Sequence, residues 1–215
     1  MEKSVRRLIL TGWCGLAHGA MAAYTLHPMY RYAKIHGCDV DCLNLATSAA
    51  PPSWMKVPAL IVALEEYDEV LWLDCDVVVS RSQENIFDEL PAGSWQGMVV
   101  HQTECGEVPN CGVWLVRKAM RDTLLEMWNE DLAEYKDHCW WEQGAMLRRL
   151  GYEVSAGPVS VDRGPTPLRE RSAAMHSKWN HHPRDEGRVE TPNFHHVTQY
   201  DDRVGEARRL CERAD

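Results

Sequence analysis

The stretch from Tyr67 to Val79, YDEVLWLDCDVVV, constrains this chain most. An apolar run is cut by two carboxylates one residue apart, Asp74 and Asp76, and then resumes. Val70 to Leu73 is short, wholly apolar and preceded by charge, the pattern of a strand buried inside an α/β sheet rather than lying on its surface. Asp74 and Asp76 then stand at its carboxyl end, the edge of an open α/β sheet where ligands bind. Two anions so close at the end of an apolar strand repel each other and lose hydration, so they call for a countercharge. A hard divalent cation that also holds phosphate oxygens would supply it. Asp-x-Asp also suits a plain turn or helix cap after a strand, so the rest of the chain has to decide.

The chain has 215 residues, enough for one sizeable α/β domain and too few for two of ordinary size. Its net charge of −9 disfavours nucleic acid or an anionic membrane as the main partner, since either needs a basic face. Nine Trp against two Phe is an unusual ratio, and most of these indoles are expected in the core, with a few free to stack on a sugar or base. The eight cysteines are scattered without a Cys-x-x-Cys pair, which argues against zinc and for reduced thiols. No run approaches the about 20 apolar residues of a membrane span. Lys3, Arg6 and Arg7 before Leu8 to Cys14 faintly resemble a signal peptide, but Trp13, Gly15, His18 and Gly19 interrupt its apolar core, and a first sheet strand is the better reading. A cytoplasmic location is the expectation.

Arg7 to Thr11 reads as that first strand, ending at Gly12 in a small-residue turn where a base or ribose would lie. Met21 to His36 has helical spacing and stops at Gly37, with Pro28 expected to bend or break it. Cys38 to Leu45 completes a βαβ unit. Ala46 to Ser53 reads as a loop, Trp54 to Tyr67 as a helix, and Ser80 and Ser82 as caps of a short helix around Ile86. Trp95 to His101 and Gly112 to Val116 read as strands joined by a polar loop, Gln102 to Asn110. Lys118 to Tyr135 reads as one long helix, and a last helix follows Trp140 and Trp141 to Leu150. Tyr152 to Val154 reads as the final strand, Gly157 to Ser172 as loop, and Met175 to Tyr200 as a segment folding back over the site.

With these elements in place the chain resembles glycosyltransferases of the GT-A fold, closest to galactosyl/mannosyl- and xylosyltransferase-like families and more distantly to glycogenin-like retaining enzymes. Tyr32 to Asp39 (YAKIHGCD) is similar to the family's "YAxxHGYD", and Trp54 to Leu60 to its "WxKhPhh". Tyr67 to Val79 resembles "YDxhhWLDxDhhh", Asn110 to Arg117 "NxGhhhhR", Trp141 to Ala145 "xEQxA", and His196 to Thr198 the "HxxG" histidine. Gln199 stands where that glycine is expected, so His195 and His196 remain alternatives, and the Lys-Pro-Trp that often follows is missing. The resemblance implies a single α/β domain, Rossmann-like with a mostly parallel central sheet. Residues 1–100 would form the nucleotide-binding half, and residues 101–200 the acceptor and catalytic half with a segment over the site.

The resemblance implies a metal-dependent transfer of a hexose or pentose from a nucleotide-sugar, UDP-linked by family likeness, to a carbohydrate, small-molecule or protein hydroxyl. Asp74, Asp76 and His196 would hold the metal, Mn²⁺ or Mg²⁺, the imidazole favouring Mn²⁺. Thr11, Gly12, Lys56, Asn110 and the Asp74-Cys75-Asp76 backbone would contact the donor. Glu142 and Gln143 would sit at the sugar. In a retaining reaction the leaving phosphate takes the acceptor proton, whereas in an inverting one Glu142 is the base candidate. Trp140 and Trp141 are either an acceptor platform or core, and Lys56 and Arg117 either phosphate or sugar contacts or solvated charges. Two rival readings remain, a sugar-binding protein without catalysis and a phosphohydrolase of the haloacid dehalogenase type, whose nucleophile strand also ends in Asp-x-Asp.

Overall fold

The computed structural model describes residues 4–46, 50–103, 106–155, 160–182, 189–198 and 200–214. Lys3, Cys105, Gly157 and Gln199, with residues 47–49 of the first expected loop and 183–188 of the expected covering segment, lie outside the described residues.

β1 (Arg7–Trp13) passes through α1 (Gly15–His36) to β2 (Asp39–Asn44), parallel to β1. A 3₁₀ turn, Pro52–Met55, leads into α2 (Lys56–Glu66) and β3 (Glu69–Asp74), which lies on the other side of β1 and parallel to it. β4 (Val77–Val79) leaves the sheet, and after a 3₁₀ turn at Ile86–Glu89 the chain returns as β5 (Gln96–Thr103) and β6 (Gly106–Arg117). The helical run that follows is α3 (Arg121–Glu126), a π turn (Met127–Asp131) and α4 (Leu132–Tyr135), and α5 (Trp141–Arg149) comes next. β7 (Tyr152–Val154) and β8 (Ser160–Asp162) pair with each other, then α6 (Pro167–Glu170), β9 (Ser172–Met175), β10 (Phe194–His196) and α7 (Arg203–Cys211) complete the chain. The main sheet has the order β2-β1-β3-β6-β5-β9. Its β1–β2, β1–β3 and β5–β9 pairs are parallel and its β3–β6 and β5–β6 pairs antiparallel, giving one mixed, mostly parallel α/β domain as expected.

The apolar run of β3 has a simple cause. Val70 and Trp72 face one core, shared with Trp54, Leu60, Leu64 and Trp114, while Leu71 and Leu73 face a second, shared with Met29, Tyr32, Phe87, Trp179 and Phe194. A strand covered on both faces has no position for a polar side chain until it leaves the sheet, which it does at Asp74. Trp54, Trp72, Trp114 and Trp179 are at most 1% exposed, which settles the role of four of the nine indoles as core.

Several expectations about elements are corrected. α1 starts at Gly15 and runs unbroken through Pro28. Proline removes one backbone bond, and the buried face of Met21, Thr25, Met29 and Tyr32 holds the helix across that gap. The cap of the Ile86 turn is Asn85, whose side chain accepts from Phe87 N at 3.2 Å, rather than Ser80 or Ser82. Much of the stretch read as a polar loop, Gln102 to Asn110, is strand: Gln102 pairs with Glu107 and Thr103 with Gly106. Outside Val108 the hairpin extends past the apolar core and is held by its backbone ladder, so its outer residues carry no burial pattern. The long helix after Lys118 is interrupted by the π turn, which turns Asp131 inward to Arg148 and to Arg149 Nε at 2.5 Å. Tyr152–Val154 is followed by further strands, because β8, α6 and β9 occupy the region read as loop. α7 was not expected; its narrow apolar stripe of Ala207 and Leu210 packs on Met21, Val78 and Val197.

Among the described residues no helix is long and apolar enough to cross a membrane, and the seven described cysteines are free thiols.

A candidate metal and sugar-nucleotide cleft

The carboxyl end of β3 opens into a cleft of about 760 Å³. Gly12 stands beside Asp74 in the β1–β3 register, and a Cβ there would lie 2.8 Å from Leu45 Cγ, so glycine leaves room for the Leu45 side chain. Gly12, Lys56, Asp74, Cys75, Asp76, Asn110, Glu142, Gln143 and His196 all line the cleft. Thr11 is different: it is buried in the sheet at 1% exposure and does not line the cleft.

One donor atom from each of Asp74, Asp76 and His196 lies within 4.8 Å of the others, so the three side chains could hold a cation. The structure also separates the two histidines. His196 Nε2 is 3.2 Å from Asp76 Oδ1, whereas the neighbouring strand position turns His195 to His181, with ring centroids 5.2 Å apart. Burial raises the pKa of Asp76, but His196 and then Arg203 outweigh it and hold the carboxyl well below its usual range. Asp76 answers in kind, raising the pKa of His196 against the lowering effect of burial.

The tautomer of His196 follows from its neighbours. Asn110 Oδ1 accepts from Gly112 N at 2.8 Å and from Asn180 Nδ2 at 2.8 Å. Asn180 therefore turns its carbonyl Oδ1 to His196 Nδ1, 3.1 Å away. An acceptor there keeps a proton on Nδ1, so when His196 gives up the Nε2 proton that it shares with Asp76, the lone pair that faces Asp76 and Asp74 is on Nε2. Two carboxylates and a so-oriented imidazole fit a divalent cation. Gly112 is part of this fit: a Cβ would come within 2.8 Å of Asn110 Oδ1 and closer still to the His196 ring.

Lys56 is neither solvated nor peripheral. It is 3% exposed, and its Nζ lies 3.0 Å from Asp74 Oδ1, 2.8 Å from Glu142 Oε1 and 3.3 Å from Cys111 O. Burial lowers its pKa, but Asp74 and then Glu142 raise it further, so it stays charged. Trp72 Nε1 also donates to Asp74 Oδ1 at 2.6 Å. Burial raises the pKa of Glu142, opposed by Lys56, and Glu142 Oε2 is buried without a hydrogen bond. Gln143 Oε1 accepts from Cys111 N at 3.2 Å, which ties α5 to β6. Cys75 is buried, and its carbonyl accepts from Thr25 Oγ1 at 2.8 Å.

Trp140 packs partly against the core, whereas Trp141 is 45% exposed on the cleft wall with φ at 42°, in the left-handed region. Arg117 is corrected in both of its expected roles. It lies at the far end of β3, with Nε 2.9 Å from Glu69 Oε1 and the guanidinium donating to the carbonyls of Leu90, Pro91 and Ser94. Asn180, His182 and Arg203 also belong to the cleft or its support. Asn180 and His182 left no signal because they lie in the aperiodic stretch that follows Met175, and Arg203 because it opens α7, whose apolar stripe is narrow. His101 was read only as the end of a strand, yet it lines the cleft with its ring centroid 4.3 Å from that of His182.

No protein-family model matches the chain, and no curated protein matches it in sequence. The fold is that of the GT-A glycosyltransferases. A glycosyltransferase involved in glycosylation of the major capsid of PBCV-1 is similar at a TM-score of 0.73 and 17% identity, with 96% of this chain and 98% of that one covered. The galactosyltransferase LgtC, solved with donor and acceptor sugar analogues, is similar at a TM-score of 0.62 and 13% identity, with 96% of each chain covered. The glycosyltransferase GlyE of Streptococcus pneumoniae TIGR4 matches at a TM-score of 0.58 and 12% identity over 97% of this chain and 63% of its own.

Proposed function

We propose that the protein is a metal-dependent glycosyltransferase that moves a hexose or pentose from a UDP-sugar to a hydroxyl acceptor with retention of configuration. The observation that carries this reading is the Asp74, Asp76 and His196 group, opening on the same cleft as Glu142 and Gln143 at the carboxyl end of β3. Its GT-A fold supports the same reading.

Asp76, Asp74 and His196 would hold Mn²⁺ or Mg²⁺, and the cation would supply Lewis-acid help to the departing diphosphate. Gly12 and the Cys75 backbone would meet the nucleoside beside Asp74, and Thr11 lies behind them, buried in the sheet. Lys56 fixes Asp74 and Glu142 relative to each other. Glu142 Oε2, buried and unpartnered, is an acceptor for a sugar hydroxyl. Gln143 holds the wall beneath the sugar, and Asn110 works through Asn180 to orient His196. Among the acidic side chains lining the cleft, Asp74 and Asp76 face the cation position and Glu142 is paired with Lys56. With Glu142 Oε1 held by Lys56, the reading is retention, a leaving phosphate oxygen taking the acceptor proton.

Incubation with Mn²⁺ and a panel of UDP- and GDP-sugars, following nucleoside diphosphate release, tests the reading. Turnover of one donor that EDTA and Asp76→Asn both abolish supports it. Metal-dependent donor binding without turnover would instead leave a sugar-nucleotide binding protein.

A further inference from the structure

Asp76 is 5% exposed and both of its oxygens are engaged: Oδ1 faces His196 Nε2 at 3.2 Å, and Oδ2 receives Arg203 Nη2. We propose that Arg203 is a resident counter-cation of Asp76 that an incoming divalent cation must displace, so that the freed guanidinium couples cation binding to the donor's diphosphate. The inference rests on the reading of the cleft as a metal and sugar-nucleotide site.

The two partners of Asp76 differ in what they can do when a cation arrives. His196 can change from hydrogen-bond partner to co-ligand, because its Nε2 offers a lone pair once neutral. Arg203 has only donors and keeps its charge, so it cannot become a ligand, and it repels a cation that arrives at the same buried carboxylate. The two charges compete for Asp76. The helix that carries Arg203 is anchored, with Asp202 capping Gly205 N at 2.8 Å and Ala207 and Leu210 packed on Met21, Val78 and Val197. The side chain is freer: it is 35% exposed and lines the cleft. Exchange is therefore a rotation of one long side chain rather than a movement of α7. A displaced guanidinium next to a bound cation needs an oxyanion, and a diphosphate held by that cation offers oxygens in the paired geometry that arginine prefers.

Such an exchange couples two ligands, and the coupling is reciprocal. The test measures Mn²⁺ affinity by electron paramagnetic resonance, alone and with UDP, in the full chain and in Arg203→Met and Arg203→Gln, both substitutions that helices tolerate. The expected result is that both variants bind Mn²⁺ alone at least 3-fold more tightly than the unaltered chain, while the enhancement of Mn²⁺ binding by UDP shrinks by a similar factor. If one variant fails to fold by circular dichroism, the other decides. Unchanged or weaker Mn²⁺ binding in the folded variants would overturn the proposal while leaving the metal site standing. Failure of the unaltered chain to bind Mn²⁺ with or without UDP would instead remove the functional reading on which it rests.

Discussion

Asn180 Oδ1 lies 3.1 Å from His196 Nδ1, and this contact sets which nitrogen of His196 faces the two aspartates. Asn180 is 0% exposed, and a leucine in its place offers Nδ1 no acceptor. Replacing an outer partner of a metal-ligating histidine costs roughly 10- to 100-fold in metal affinity. Asn180→Leu is expected to weaken Mn²⁺ binding by about that factor, and Asn180→Asp, which keeps an acceptor toward Nδ1, by less. Calorimetric titration with Mn²⁺ distinguishes the two; equal affinities for all three proteins would contradict the orienting role.

Lys56 carries the charge balance of the cleft floor. Removing one partner of a buried ion pair costs about 3 to 5 kcal/mol, and Lys56→Met leaves both Asp74 and Glu142 facing a missing cation. The pKa of Glu142 is already raised by burial, and loss of Lys56 raises it further. A carboxyl whose folded pKa lies above its unfolded value binds more protons when folded, so it favours the fold at low pH and that contribution is lost as pH rises. The deficit of Lys56→Met is therefore expected to be larger at pH 8 than at pH 5 in urea unfolding. A deficit independent of pH would show that Glu142 does not respond to Lys56.

Trp141 holds a left-handed φ of 42° at the first position of α5, one residue before Glu142. A side chain in this region costs roughly 1 to 2 kcal/mol, which glycine avoids at some cost in chain entropy. Trp141→Gly is expected to be about 1 kcal/mol more stable than Trp141→Ala by thermal or urea unfolding. The reverse order would mean that the conformation carries no strain.

His195 makes an acid-side contribution of the opposite sign to Glu142. Burial first, and then His181, push its pKa from 6.5 down to about 4. The unfolded chain takes up a proton below about pH 6.5 that the folded one refuses until about pH 4, so stability falls across that window as pH drops. His195→Gln should lose less stability between pH 7 and pH 5 than the unaltered chain in urea unfolding, and identical losses would exclude His195 as a source.

Much of this was legible before the fold was seen, for reasons the packing explains. Burial of β3 on both faces forces an unbroken apolar run, so Asp74 and Asp76 announce the end of the strand. Gly37 ends α1 in a left-handed conformation, as its place after a helical stretch suggested. Other features left little trace. The outer part of the β5–β6 hairpin rests on backbone pairing, which has no side-chain period. Asn180 acts through contacts with Asn110 and His196 and Arg203 through its contact with Asp76, and no local spacing encodes such partners. Lys56 was recognisable as a site residue, but a lysine enclosed by two carboxylates reads in sequence like any helical lysine.

Crystals soaked with Mn²⁺ and UDP, measured at the manganese absorption edge, test the central claim most directly. The account expects one anomalous peak bounded by the carboxylates of Asp74 and Asp76 and by His196 Nε2, lost in Asp76→Asn crystals. An anomalous map without a peak among these three side chains, at full occupancy of UDP, would contradict it.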